Sequence, residues 1–170
     1  LLDAAGRLAG RHDFRVVVVG SVDPRLELDR LVERAGLGGR VHATGRVPAA
    51  DFGALMRAVD LAVNLRYPTA RASSGTLQQL LQVGVPSLVH DLIHLRDLPD
   101  SAVLRVPPGP REAERRALVE RLERWLGDPA ARTAASEACR AWAAAHITRE
   151  GMAESWDRAV DQALRQARAA

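Results

Sequence analysis

Lysine is missing from this sequence: all 24 basic side chains are arginine. That bias, with its accompanying excess of alanine, is what GC-rich coding produces. A net charge of +3, 4% aromatic residues and no basic cluster interleaved with aromatics exclude a nucleic-acid surface as the expected reading. Cysteine is nearly absent too. Cys139 stands alone, which excludes an internal disulfide and a cysteine metal cluster and fits a reducing compartment. No apolar run approaches membrane-spanning length and no signal peptide opens the chain. The first residue is Leu1 rather than methionine, so a piece of a longer product is expected. Against these absences, 170 residues of 47% apolar composition are enough for one soluble domain with a sizeable core.

The front of the chain alternates short β-branched runs with helical patterns. Leu1 to Leu8 reads as the end of a helix stopped by Gly10. Phe14 to Val19 reads as a buried strand that turns at Gly20 and Ser21. Asp23 and Pro24 start a helix carrying Leu28, Leu31, Val32 and Ala35, ended by Gly36. Arg40 to Thr44 is a second strand closed by Gly45, and Asp51 to Ala58 a short helix bearing Phe52, Leu55 and Met56. Leu61 to Leu65, broken only by Asn64, is a third strand that Pro68 prevents from continuing. Ser87 to His90 and Val103 to Val106 complete the set. Such alternation predicts an α/β fold with a doubly wound, Rossmann-like parallel sheet and right-handed crossovers.

From Glu112 the pattern becomes helical, over Glu112 to Leu126, Pro129 to Ala145 and Arg149 to Arg168, with Asp128 and Thr148 as caps. Residues 1–110 are therefore expected to form the Rossmann-like unit, and residues 111–170 a helical tail packing on it. Arg111, Arg115, Arg116, Arg121 and Arg124 read as a solvated helix face paired with glutamates. Trp125, Trp142 and Trp156 read as packing residues, and Cys139 as a small apolar filler.

The chemistry concentrates after the third strand. Ser73 and Ser74 precede Gly75, Thr76 and Leu77, and Leu77, Leu80 and Leu81 recur at helical spacing, so one of the serines is the N-cap. Free N–H groups and the positive end of the helix dipole then face the preceding connection, and Gly75 lets a bulky anion approach the backbone. Arg66, Tyr67 and His94 follow strand ends, where open parallel sheets bind ligands. His90 and His94 with Asp91 between them lack a third ligand, and no metal site is expected.

The runs V-V-V-V-G (Val16 to Gly20), G-R-V-H-A-T-G-R-V (Gly39 to Val47), A-V-D-L-A-V-N-L-R-Y (Ala58 to Tyr67), G-V-P-S-L-V-H-D (Gly84 to Asp91) and V-P-P-G (Val106 to Gly109), in that order, resemble a known family. It is the C-terminal, donor-binding half of the retaining group 1 (family 4) glycosyltransferases, whose GT-B architecture faces two Rossmann-like domains. The resemblance implies a bacterial, cytoplasmic hexosyltransferase taking a UDP- or GDP-linked sugar, with no cofactor and no bound metal. It maps the diphosphate to Ser73, Ser74, Gly75 and Thr76, the base to Gly45, Arg46 and Val47, and the ribose or sugar to Gln79 and Arg71. Gly20, Arg66, Tyr67 and His94 would line the cleft. No residue of this chain is assigned a catalytic role. The family's first strand, which ends in a glycine–arginine turn followed by a lysine, would precede Leu1 and stand centrally in a sheet ordered 3-2-1-4-5-6. The missing N-terminal domain would carry the acceptor site and could touch the inner face of the membrane peripherally.

The chain also departs from that pattern. Two glutamates that many members carry eight positions apart fall here on Arg71 and Gln79, and the acid of a second bacterial variant falls on Ala72. This motivates an alternative, a non-catalytic relative that kept the fold as a binding or scaffolding domain. A nucleotide-sugar epimerase shares the architecture and is a third reading.

Overall fold

The computed structural model describes residues 1–67 and 74–169. In chain order the helices are α1 (Leu2–Gly6), α2 (Leu28–Arg34), α3 (Ala49–Ala58), α4 (Gly75–Val83), α5 (Arg111–Gly127), α6 (Pro129–His146) and α7 (Arg149–Ala169). The strands are β1 (Val16–Val19), β2 (Val41–Gly45), β3 (Ala62–Asn64), β4 (Ser87–His90) and β5 (Val103–Val106). All three pairings are parallel: β1 with β2, β3 with β4, and β4 with β5.

Local chemistry sets most element ends. Ser74 caps α4 by accepting the Leu77 N–H, Asp128 caps α6 through Ala131 N–H at 2.9 Å, and the Gly151 N–H bonds Thr148 Oγ1 at 3.0 Å at the start of α7. Gly84 closes α4 with φ +81°, a left-handed conformation that glycine adopts without a Cβ penalty. One expected helix divides. Asp23 caps a single 3₁₀ turn, Pro24–Leu26, and Glu27 then takes φ 44° before α2 begins. The Asp23 carboxylate bonds both the backbone N–H and the guanidinium of Arg25, a local alternative to helical propagation.

Helices cover both faces of the three-stranded sheet. Leu88 and Leu104 pack toward Leu118, Leu122 and Trp125 of α5 and Ala4 of α1, while Val89 and Val103 pack toward Leu77 and Leu81 of α4 and Cys139 and Ala143 of α6. Alternate residues of one strand thus serve opposite layers. All four residues of β4, the middle strand, are buried, as a strand covered on both faces must be. Asp3 and Arg111 tie α1 to α5 at 2.9 Å, and Arg121 pairs with Glu120 at 2.6 Å.

The five strands form two sheets, β1-β2 and β3-β4-β5. Between β1 and β3 lies a cavity of about 800 Å³, lined along its length by Val16 to Val19 and Leu61 to Asn64, with Phe52, Met56 and Leu80 on one side and Ala5, Leu122 and Leu126 on the other. Leu1 stands among its lining residues. The gap corrects one expectation: the four-valine strand, read as buried, has Val17 38% exposed. It also falls where the expected order places a central strand, between β1 and β3. Trp125 is 3% exposed and Trp142 packs against the α4–α6 core, whereas Trp156 is 67% exposed, on a row of α7 with exposed Met152, Val160 and Leu164. No helix among the described residues is long and apolar enough to cross a membrane.

Candidate functional site

Because β3 and β4 pair in parallel, their C-terminal ends point the same way, and the start of α4 returns to that edge. The Ser74 side chain, 6% exposed, accepts two donors: the Leu77 N–H at 3.2 Å and Asn64 Nδ2 at 3.3 Å. The first helical bond runs from the Gln78 N–H to the Ser74 carbonyl at 3.0 Å. Gly75 and Thr76 precede it, and their N–H groups have no partner among the described residues. Both residues are exposed, and a Cβ built on Gly75 meets nothing within 4 Å. An anion can therefore reach two backbone donors at the positive end of a helix dipole. Gln79, one turn further along α4, is exposed on the same face as Gly75.

Arg66 and Tyr67 leave β3 at this edge and both are exposed. His90, the last residue of β4, is 4% exposed; its Nδ1 accepts the Arg66 N–H at 2.9 Å, and its ring meets the Tyr67 ring edge-on, with centroids 6.0 Å apart at 74°. His94 is half-buried in the 3₁₀ turn Ile93–Leu95 that follows β4. On the other sheet, Gly20 and Gly45 meet directly, the Gly20 N–H donating to the Gly45 carbonyl at 3.0 Å. Arg46 beside them is exposed and Val47 half-buried. Two groups thus emerge: Gly20, Gly45, Arg46 and Val47 at the ends of β1 and β2, and Arg66, Tyr67, His94, Ser74, Gly75, Thr76 and Gln79 around β3, β4 and α4. Arg71 and Ser73 lie outside the described residues. Among the described residues, no group of three or more His, Cys, Asp or Glu is arranged to hold a metal ion.

Two contributors escaped the sequence reading. Asn64 appeared there as an interruption of an apolar strand, and its polarity at a half-buried position was the available signal for a side-chain partner. His90 was weighed only as a metal ligand. Its position at the end of a strand buried on both faces pointed instead to an internal hydrogen bond.

No protein-family model and no curated protein matches the sequence. Solved structures do. The C-terminal domain of a group 1 glycosyltransferase, LpcC of Francisella tularensis, superposes with a TM-score of 0.74 at 16% identity over 87% of this chain and 77% of that domain. The chain has the fold of a glycosyltransferase C-terminal domain. WaaG, a glycosyltransferase of lipopolysaccharide biosynthesis, matches this domain with a TM-score of 0.71 at 25% identity, over 84% of this chain and 37% of WaaG. Anabaena HepE, solved with UDP, gives a TM-score of 0.70 at 19% identity over 93% of this chain and 44% of HepE. The chain therefore spans about two fifths of the length of these two proteins.

Proposed function

We propose that this chain is the donor-binding half of a retaining glycosyltransferase that moves a hexose from a nucleotide diphosphate sugar. The observation that carries the reading is the start of α4, a capped helix end whose first two N–H groups have no partner among the described residues and whose Gly75 would meet nothing within 4 Å of an added Cβ, on a fold shared with a protein solved with UDP. The diphosphate sits against Gly75 and Thr76, the base beside Gly45, Arg46 and Val47, and the ribose or sugar within reach of Gln79. In the transfer, the bond from the anomeric carbon to phosphate oxygen breaks with its electrons on the departing diphosphate. An acceptor hydroxyl bonds to that carbon and passes its proton to the departing diphosphate oxygen. Charge growing on the diphosphate meets the helix N–H groups, which need no reorganisation to receive it. The slot between β1 and β3 takes one further parallel strand of the same polypeptide, and an N-terminal domain supplies the acceptor site.

Calorimetric titration of the full-length protein with UDP, GDP and their sugar derivatives tests this. Micromolar binding of one nucleotide, lost in Gly75→Leu, is expected; equal binding by a folded Gly75→Leu variant overturns the site. A second reading, a binding domain without transfer activity, is favoured by Gln79, a neutral amide where the family pattern has a carboxylate. Nucleotide binding with no sugar transferred would select it.

A further inference from the structure

We propose that His90 is a positioning residue of this site: its imidazole replaces a missing rung of the β3–β4 ladder and sets the direction in which Arg66 and Tyr67 leave the sheet. The β3–β4 register runs Ala62 with Ser87, Val63 with Leu88 and Asn64 with Val89. In a parallel ladder, alternate residues bond the same neighbour. Ala62 donates its N–H to the Pro86 carbonyl at 2.9 Å, so residues 62, 64 and 66 are those whose N–H groups face β4. Were the strands to continue together, the Arg66 N–H would meet the backbone of residue 90. It is held by the His90 side chain instead, at 2.9 Å. A side chain spans a wider gap than a carbonyl, so β3 can diverge from β4 here without leaving a donor unsatisfied.

The ring is fixed on its other edges. With Nδ1 as acceptor, the neutral imidazole carries its proton on Nε2, which lies 3.5 Å from Glu114 Oε1 of α5 and makes no hydrogen bond among the described residues. The carboxylate holds that tautomer electrostatically, and Tyr67 closes the remaining side. The Asn64–Ser74 bond performs the matching task at the start of α4. The two braces hold the exits of β3 and α4, where the donor groups stand, to neighbouring strands.

The inference rests on the proposed donor site, and two readouts in the full-length protein separate them. Hydrogen exchange at the Arg66 amide reports the brace without any ligand; calorimetry with UDP and GDP reports its effect on binding. His90→Leu keeps apolar bulk but no acceptor, and is expected to speed Arg66 exchange and weaken nucleotide binding, each by about tenfold, the scale of one lost hydrogen bond. His90→Asn places an acceptor near the position of Nδ1 and restores both; His90→Gln, reaching toward Nε2, restores neither. Wild-type exchange and affinity in His90→Leu overturn the proposal, as do equal losses in the Asn and Gln variants, which would mark a packing role alone. If His90→Leu does not fold, the Asn–Gln comparison decides. Wild-type protein that binds no nucleotide overturns the donor reading and with it the binding role of His90, while the exchange comparison still confirms or refutes the brace.

Discussion

Asn64 donates through Nδ2 to Ser74 Oγ at 3.3 Å, joining the polar residue of β3 to the cap of α4. The same oxygen accepts the Leu77 N–H, so one hydroxyl ends the helix and ties it to the sheet. Ser74→Ala is expected to cost about 1 kcal/mol in urea unfolding, from the lost cap. Ser74→Asp keeps a capping acceptor and should unfold like wild type, yet its charge would repel a diphosphate and weaken nucleotide binding at least about tenfold. Undiminished affinity in that variant would place the anion elsewhere.

Three glycines should behave differently for steric reasons. Gly75→Leu points its side chain into open space and should leave the melting temperature unchanged while blocking the helix start. Gly6→Ala drives a Cβ into the Ala35 carbonyl oxygen, a backbone atom that cannot step aside, and is expected to destabilise by about 1–3 kcal/mol. Gly84→Ala combines φ +81° with contact against the Arg140 side chain, which can move, so backbone strain of about 1–2 kcal/mol should dominate. Thermal melts of the three variants check the order.

The slot between β1 and β3 leaves inner-edge backbone groups without a partner among the described residues. Val16 donates to the Arg40 carbonyl at 2.8 Å, so the next N–H along, that of Val17, faces the slot, as Val63 does from β3. Mass-spectrometric hydrogen exchange should find both amides fast in the 170-residue chain, with an apolar dye bound. In a longer polypeptide that supplies the strand proposed above, they should be protected and the dye excluded. Protection in the monomeric 170-residue chain alone would show that the slot closes without an added strand.

Burial pushes the Cys139 thiol up from 9.0 to about 11. Native protein should therefore resist iodoacetamide at pH 8 and react only when urea exposes the residue. The folded state keeps this proton through the window between the two values, so the thiol's contribution to stability is complete below pH 9 and lost as pH rises toward 11. Urea midpoints measured from pH 8 upward should fall across that window, and Cys139→Ala should remove this component of the fall.

The legible part of the site was the part written in adjacent residues. Serines before Gly75 and the leucine spacing after it sufficed to place a helix start, because a cap and its N–H partner are three residues apart. His90 and Arg66 are 24 residues apart, and nothing near either names the other. Trp125 and Trp156 looked alike as helix residues, yet one is buried and the other is exposed on α7.

By itself the sequence determined the order of strands and helices, a serine cap just before Gly75, the caps at Asp128 and Thr148 and the parallel character of the sheet. Those follow from side-chain periodicity and from hydrogen bonds spanning four residues or fewer. Tertiary structure decided the division into two sheets, the open slot between them, the break at Glu27 and the braces from Asn64 and His90. Each depends on which strand edges and side chains meet across long stretches of chain. Such partners are chosen by packing the whole domain, not by neighbours in sequence.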